Sequence, residues 1–360
     1  HKVQISLIFG ITSFLVIFGV IMIFSSSYIW AEYKFNNPYK FLINQSIFAI
    51  IGFILMIIIS KIDYKLYCKY SNILLLLSVV LLILVLIPGI GVVRNGSRSW
   101  FGIGPFGIQP SEIAKLALII FTSKYLANHH NKLNDTKKYV FPILLIIIFI
   151  FGLILLEPDF GSGAITVMSV IALIFTSNIK ISLFVILGII ALLGVVVLIL
   201  IAPYRMARIT SYLNPWSDPL GSGFQIIQSL YAIGPGGLFG LGLGNSIQKH
   251  FYLPEPQTDF IFAIISEELG FLGILILSIC YITLFFTCIK VSLNTSNLFG
   301  KYLSFGLIIE LVLQTLLNLL VVVGLIPVTG VTLPFLSYGG SSLLICMMMI
   351  GIIINISKNT

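Results

Sequence analysis

Charged side chains are scarce in this sequence: Asp, Glu, Lys and Arg make up 9% of the 360 residues, whereas soluble domains average about a quarter. Hydrophobic residues account for 58%, and the mean hydropathy is +1.11. A helix needs about 20 mostly apolar residues to cross roughly 30 Å of hydrocarbon. The composition therefore excludes a soluble enzyme and predicts an all-α polytopic membrane protein.

Metal-binding and disulfide patterns are also lacking. The four cysteines form no CxxC pair, and none lies in a predicted outer loop, so we expect reduced, apolar thiols at Cys68, Cys280, Cys288 and Cys346. His129 and His130 are adjacent but have no acidic neighbours, which favours a solvated loop over a metal site. The glycine-rich run 234–244 lacks the strand before it and the Lys-Ser/Thr after it that a nucleotide loop requires.

About ten apolar stretches can be transmembrane helices, and Glu157-Pro-Asp159 alone separates the fifth from the sixth. Lys and Arg are more numerous in the connecting segments on one side of the predicted membrane, and the positive-inside rule makes that side cytoplasmic. Both termini are then predicted to be cytoplasmic. One large extracellular loop, 203–258, would then join helices 7 and 8. Topology and anionic lipid account for the net charge of +8, so we expect no nucleic-acid binding. The predicted spans are 5–28, 41–60, 71–88, 111–127, 139–156, 160–177, 181–202, 260–283, 303–324 and 333–356.

The outer loop 88–110 is rich in glycine and proline and carries Arg94, Arg98 and Trp100. One guanidinium group can donate two parallel hydrogen bonds to the oxygens of a phosphate, and an aromatic ring can stack on the face of a sugar. The same residues would equally suit an anchor at the membrane interface. Beyond the loop, Glu112 and Lys115 are three residues apart and form either a structural ion pair or part of a site.

Asp259 ends the second large loop, directly before an apolar run. It can be a helix N-cap, or it can do chemistry at the membrane surface. Glu267 and Glu268 follow within the predicted span and indicate a polar cavity or a helix–helix hydrogen bond. Earlier in this loop, 220–233 is typical of a short amphipathic helix, and the glycine run after it of a close-packed re-entrant backbone.

Several longer motifs follow one another in order along nearly the whole chain: Arg94 to Trp100, Gln109-Pro-Ser-Glu112, Gly221-Ser-Gly-Phe-Gln225, Tyr252 to Ala263, Glu267-Glu-Leu-Gly270 and Pro334-Phe-Leu-Ser337-Tyr-Gly-Gly-Ser-Ser342. With these motifs the sequence resembles the SEDS proteins (shape, elongation, division and sporulation), and its 208–216 run is most similar to the FtsW and SpoVE branch. One departure is Glu157-Pro-Asp159-Phe-Gly, where the family more often has Gln before the Pro and Leu before the Gly.

The resemblance implies a ten-helix peptidoglycan glycosyltransferase that polymerises lipid II outside the cytoplasmic membrane. It implies a class B penicillin-binding transpeptidase as partner, together with other division or sporulation membrane proteins. It also implies that Asp259 is the essential aspartate of the loop before the eighth span, and that Trp100 is the important tryptophan of the first large outer loop. Gln109 is a further substrate-binding candidate, and Ser337 either lines the site or supports it.

The implied reaction needs a general base near a sugar hydroxyl and positive charge near a departing pyrophosphate. Asp259 would be the base. A divalent cation, Mg²⁺ or Mn²⁺, would be able to share the charge of the pyrophosphate, although no cofactor is specified by the sequence. The alternative function is a flippase or transporter of the same precursor, and a scaffold without chemistry is a third. The candidate outer cations are Arg94, Arg98, Arg205, Arg208 and Lys249.

Overall fold

The computed structural model describes residues 2–94, 96–103, 106–177, 179–221 and 223–360. These residues form twelve α-helices and three short strands. The strands are β1 Val92–Arg94, β2 Ser97–Ile103 and β3 Phe106–Ile108. The helices are α1 Lys2–Phe35, α2 Lys40–Ile59, α3 Lys65–Leu86, α4 Pro110–His129, α5 Phe141–Leu156, α6 Phe160–Phe175, α7 Ile181–Ile201, α8 Pro203–Leu213, α9 Phe224–Ile233, α10 Ile261–Asn294, α11 Leu298–Val322 and α12 Gly340–Lys358.

A helix occupies the position of every predicted span, which confirms a polytopic helical fold. In the described ranges, eight helical segments are long and apolar enough to cross a membrane, and the apolar helix α6 is shorter. Helix α4 has 20 residues but is less apolar because it carries Glu112, Lys115 and Lys124. Ten spans therefore remain a prediction, while the integral membrane character of the chain is clear.

The bundle has two polar ends. One end, here called the Asp259 end, carries the strands, the α5–α6 turn and the segment between α7 and α10. At the opposite end, Asn355 of α12 accepts a hydrogen bond from the Tyr64 backbone N–H (2.9 Å) and donates one to the Ser60 carbonyl (3.1 Å). Ile5 and Lys358 line one groove at this opposite end. The start of α1 and the end of α12 therefore lie on the same side of the bundle.

The three strands form an antiparallel sheet, which the all-α expectation did not include. Arg94 pairs with Ser97 between β1 and β2, and Phe101 pairs with Ile108 between β2 and β3. Valine and aromatic residues in this segment favour extended backbone. The sheet fixes the outer loop as a folded platform beside the α5–α6 turn, where the Ser97 hydroxyl donates to the Glu157 carbonyl.

Helix α10 is broken at Gly270, whose φ of 63° and ψ of −160° are not helical. The glycine-rich run packs into this break. Leu241 N–H donates to the Glu267 carbonyl (2.9 Å), and Phe271 N–H donates to the Gly237 carbonyl (2.9 Å). The exchange satisfies backbone groups that the interrupted helix leaves free. It supports the close-packed re-entrant backbone expected here. The span predicted over 260–283 overlaps Ile261–Asn294, which is long and apolar enough to cross a membrane, but its helix is interrupted at Gly270.

The segment between α7 and α10 is more helical than a loop. Helix α9 at Phe224–Ile233 lies where the amphipathic helix was predicted. Helix α8 at Pro203–Leu213 was not anticipated; it begins with a proline at its first position, which suits a helix start. Helix α8 carries Arg205 and Arg208, so both cations are displayed from a regular element.

Candidate active site

Asp259 lies at the entrance to the first half of α10. The helix begins at Ile261, its N-cap residue is Phe260, and no side chain caps it. The cap interpretation of Asp259 is therefore wrong. The carboxylate is half-buried and makes no hydrogen bond or ion pair with any described residue. It is free to contact a substrate.

The backbone around Asp259 is held from two sides. Asn318 of α11 donates to the Asp259 carbonyl (2.8 Å) and to the Val331 carbonyl (2.7 Å). Ser337 donates to the Thr258 carbonyl (2.7 Å) and accepts from the Leu333 N–H (2.8 Å). Ser337 is buried, so it supports the site and does not line it. These bonds fix Asp259 to the hairpin between α11 and α12.

The charge of Asp259 is tuned by its surroundings. The pKa of this carboxyl is raised from 3.8 to about 6, chiefly by burial and also by the nearby acids Glu255 and Asp159, whereas Arg208 acts to lower it. Arg208 is exposed and donates to the Val328 carbonyl (3.2 Å). A carboxylate with this pKa is ionised at neutral pH yet basic enough to accept a proton.

The α5–α6 turn brings a second acid to this end. Asp159 accepts hydrogen bonds from Gln109 Nε2 (2.7 Å) and from the Ser162 N–H (3.1 Å), and burial raises its pKa. Gln109 is thereby joined to Asp159, and its N–H donates to Ser341 (3.2 Å). Gln109 links the end of the sheet segment to the acids near Asp259.

The sheet presents Arg94 and Trp100 as a stacked pair. The guanidinium carbon of Arg94 lies 5.1 Å from the centre of the Trp100 ring. Gly107 on β3 makes room for them, because a Cβ there would lie 2.7 Å from Arg94 Nη1 and 2.9 Å from Trp100 Cε3. Arg98, on β2, is half-buried, and its Nε has no partner among the described residues. The sheet therefore offers an aromatic surface with positive charge.

Arg205 packs along α7 and α8 and points less freely into solvent than Arg208. Its Nη1 donates to the Leu198 carbonyl (3.0 Å) and its Nε donates to the Tyr204 hydroxyl (2.9 Å). The guanidinium also lies 5.9 Å from the centre of the Phe160 ring, beside the α5–α6 turn. Arg205 is near the site but already engaged.

Lys249 does not lie among the exposed cations. It is 1% exposed, it forms an ion pair with Glu268 (3.0 Å) and it donates to the Gly244 carbonyl. Glu267 accepts from the Ile247 N–H (2.9 Å) and from the Ser246 hydroxyl (2.5 Å). These three residues tie the 244–249 segment to the broken helix, which is a structural role.

Lys115 is the centre of a second buried ionic cluster. Its Nζ lies 2.9 Å from Glu112 and 3.0 Å from Glu310 of α11, and it donates to Gln314 (3.2 Å). Gln314 continues to the hairpin through the Thr332 carbonyl (3.1 Å). Glu112 and Lys115 therefore connect helices, as do Glu310, Gln314 and Asn318, which are spaced four residues apart on α11.

The described residues hold no group of three His, Cys, Asp or Glu side chains placed to bind a metal ion. Glu255 and Asp159 lie near enough to Asp259 to raise its pKa, but the three acids do not form such a group. The described acids therefore supply no three-ligand site for a divalent cation. Sequence reasoning overlooked Asp159 and Asn318 as neighbours of Asp259, because the fold brings these residues together from distant parts of the chain.

The sequence matches named relatives along nearly its full length. A family model described as "Cell cycle protein", covering FtsW, RodA and SpoVE, matches residues 5–360. Stage V sporulation protein E of Bacillus subtilis is 51% identical over 348 residues, covering 97% of this chain and 95% of the relative. The probable peptidoglycan glycosyltransferase FtsW of Geobacter sp. is 41% identical, with 94% and 93% covered.

Solved structures agree in fold. A chain from the study "Structural coordination of polymerization and crosslinking by a peptidoglycan synthase complex" superimposes with a TM-score of 0.78 at 31% identity, covering 97% of both chains. The rod shape determining protein RodA of Thermus thermophilus gives 0.72 at 26% identity, with 98% and 96% covered. The chain belongs to the FtsW/RodA/SpoVE family, the SEDS proteins.

Proposed function

We propose that this protein is a peptidoglycan glycosyltransferase that polymerises lipid II at the outer face of the cytoplasmic membrane, with Asp259 as general base. One observation carries the proposal: a half-buried carboxylate with a pKa of about 6 and no hydrogen bond of its own stands beside an exposed arginine at the end of a bundle. The relatives named peptidoglycan glycosyltransferases support the same reaction.

The reaction exchanges one bond at an anomeric carbon. A sugar hydroxyl of one lipid II unit attacks the anomeric carbon of the other chain, whose bond to the pyrophosphate oxygen breaks. The hydroxyl proton moves to Asp259, and the electron pair leaves with the polyprenyl pyrophosphate. Positioned general-base assistance contributes about 10²–10⁴ in rate. A site at the bundle end suits this substrate, because the pyrophosphate stays at head-group depth while the tail remains in lipid.

Arg208 is the best placed cation for the pyrophosphate, because it is exposed and close enough to Asp259 to affect its pKa. Arg94 and Trp100 offer a stacked surface for the sugar and its phosphates, and Arg98 adds charge beside them. Arg205 adds positive charge on the side of the site that α8 forms. Lys249 is left out of this set because its charge is neutralised by Glu268.

We assign no step of the reaction to a protein-held metal, since the acids around Asp259 do not converge on one point. For the partner we propose a class B penicillin-binding transpeptidase in the membrane, in keeping with the peptidoglycan synthase complex to which one similar chain belongs. Other division or sporulation membrane proteins would join it. Lipid II is the substrate class that follows.

The alternative is a transporter of the same precursor. Alternating access needs ionisable groups and broken helices at a midplane site. Here the buried acids Glu112, Glu310 and Glu268 are paired with lysines inside the bundle. Asp259, which has no partner among the described residues, lies at one end of the bundle, and this favours an enzyme acting on one side of the membrane.

The test compares wild type with Asp259→Asn, using purified protein, the partner transpeptidase and labelled lipid II on gels. We expect at least a 100-fold loss of polymer, because the base is removed while shape is kept. Wild-type activity should also fall about tenfold per pH unit below 6, because only the ionised carboxylate accepts the proton. Polymerisation by Asp259→Asn at the wild-type rate would contradict the assignment of Asp259 as the general base.

The matched control is Asp63→Asn, which makes the same chemical change at the opposite end of the bundle, where Asp63 is exposed and accepts from the Lys65 N–H (2.9 Å). Its polymer yield should equal that of wild type. A lipid-scrambling assay on the same samples separates the alternative. Scrambling without polymer from wild type would favour the transporter.

A further inference from the structure

A groove lies between α3 and α4 at the end of the bundle opposite Asp259. Its volume is about 300 Å³. Six residues line it, and none of them is acidic: Asn72, Phe121, Lys124, Tyr125, Asn128 and His129. The reaction at the Asp259 end uses none of them.

Lys124 is the charged group of this groove. Its Nζ donates to Asn72 Oδ1 at 3.3 Å, and it forms no ion pair with a carboxylate in the described part of the chain. By contrast, the buried lysines Lys115 and Lys249 are each paired with glutamate. Lys124 is half-buried, its hydrogen bond to Asn72 is exposed, and an ammonium with only an amide beside it leaves two N–H groups and its full charge for an anion.

The neighbouring side chains supply further polar groups. Asn128 is exposed at the groove, and Asn72 also accepts from the Ser71 hydroxyl (3.3 Å). The His129 ring is fixed through Nδ1 against the Tyr125 carbonyl (2.9 Å) and lies 4.4 Å from the Tyr125 ring. Amide donors and a rigid aromatic wall around one cation suit a phosphodiester.

The groove becomes apolar toward the middle of the bundle. Helices α3 and α4 are antiparallel neighbours, so residues after Asn72 and residues before Lys124 lie deeper. Phe121 forms the floor on α4. On α3 the exposed side chains at this depth are all aliphatic: Ile73, Leu76, Leu77 and Val80. An occupant therefore needs an anionic head and a hydrocarbon tail.

We propose that the α3–α4 groove binds the phosphodiester head group of an anionic phospholipid from the adjacent leaflet. The phosphate contacts Lys124 and the amides of Asn72 and Asn128, and an acyl chain lies along α3. Basic pockets between membrane helices are suited to such lipids. Free phosphate would satisfy the head of the groove but would leave its apolar floor and the aliphatic strip of α3 uncovered.

The experiment measures retained lipid on the purified full-length chain by native mass spectrometry, with phosphatidylglycerol or phosphatidylcholine added to detergent. We expect wild type to retain phosphatidylglycerol preferentially. Lys124→Gln should weaken this retention about fivefold, because the phosphate in the groove loses its one charged contact. The control Lys290→Gln removes an exposed lysine of α10 at the same end of the bundle. It should change phosphatidylglycerol retention less than twofold.

Asn128→Leu is a second variant, which closes the polar part of the groove without touching Lys124, and it should weaken phosphatidylglycerol retention as well. Equal retention by wild type, Lys124→Gln and Asn128→Leu would overturn the proposal. So would displacement of the lipid by millimolar inorganic phosphate, because the site would then recognise free phosphate. Preference for phosphatidylcholine would likewise contradict it.

Discussion

Of the two carboxyl groups in the α5–α6 turn, Glu157 is the one whose burial costs the folded protein more free energy. It is 0% exposed, neither carboxyl oxygen has a hydrogen-bond partner among the described residues, and burial raises its pKa from 4.5 to about 9, with Asp159 adding to the effect. The folded protein therefore holds a proton on Glu157 between pH 4.5 and 9 that the unfolded chain releases. Stability must fall as pH rises through that window.

We expect Glu157→Gln to stabilise the protein, because an amide of the same shape avoids this cost. At pH 7 the gain is up to ~3 kcal/mol, from about 1.4 kcal/mol for each pH unit above the unfolded pKa. Thermal unfolding in detergent at pH 5 and pH 8 measures it, and the gain should be larger at pH 8. Exposed Glu32→Gln is the control and should stay within about 0.5 kcal/mol. An equal shift at both pH values would contradict this account.

The residues around Asp259 divide into those that a pattern can identify and those that it cannot. Asp259 itself stands out because it ends a polar loop before an apolar run. Lys249 looks similar in sequence, yet it is paired with Glu268 across 19 positions, and Ser25 of α1 donates to the same carboxyl (2.6 Å). Pairing across distant segments depends on packing, which residue type and spacing do not reveal.

At the scale of elements, the apolar helices were predictable because a run of about 20 hydrophobic residues has one stable form in lipid. The sheet and helix α8 were not, because their segments are short, polar and rich in glycine or arginine. The break in α10 also escaped prediction, since one glycine within an apolar run usually continues a helix. What breaks it is the backbone of another segment, 236–242, which exchanges hydrogen bonds with α10.

This docking can be tested at Gly240, which has a φ of +79° and whose Cβ, if present, would overlap the Glu268 carbonyl. Gly244 has a similar φ of +83° but nothing within 4 Å of the same position. Both alanine variants carry backbone strain of about 1–2 kcal/mol. Gly240→Ala should lose about 1–3 kcal/mol more, through overpacking.

Unfolding in detergent compares Gly240→Ala with Gly244→Ala directly. We expect a clearly lower melting temperature for Gly240→Ala. We also expect less polymer, because Asp259 directly precedes the half-helix that makes this contact. If the two variants melt together, the segment 236–242 does not hold the broken helix.

On the scale of the whole molecule, each end of the bundle has a different task. The Asp259 end contains the sheet, Arg208 of α8 and the hairpin whose Ser337 hydrogen-bonds to Thr258. The opposite end collects most of the short basic connections and the α3–α4 groove. A reaction on a lipid-linked sugar requires this separation, because its product must leave on one side while the bundle stays fixed in the bilayer.

Orientation is the whole-molecule prediction that follows, because the positive-inside rule places the Asp259 end outside. Single cysteines at Leu220, which is 88% exposed at that end, and at Lys61, which is exposed at the opposite end, would report it. The native thiols, Cys68, Cys280, Cys288 and Cys346, are first replaced by alanine. In intact cells a membrane-impermeant maleimide should label Leu220→Cys and spare Lys61→Cys until the membrane is opened. The reverse pattern would place Asp259 in the cytoplasm, where it could not build a wall outside the cell.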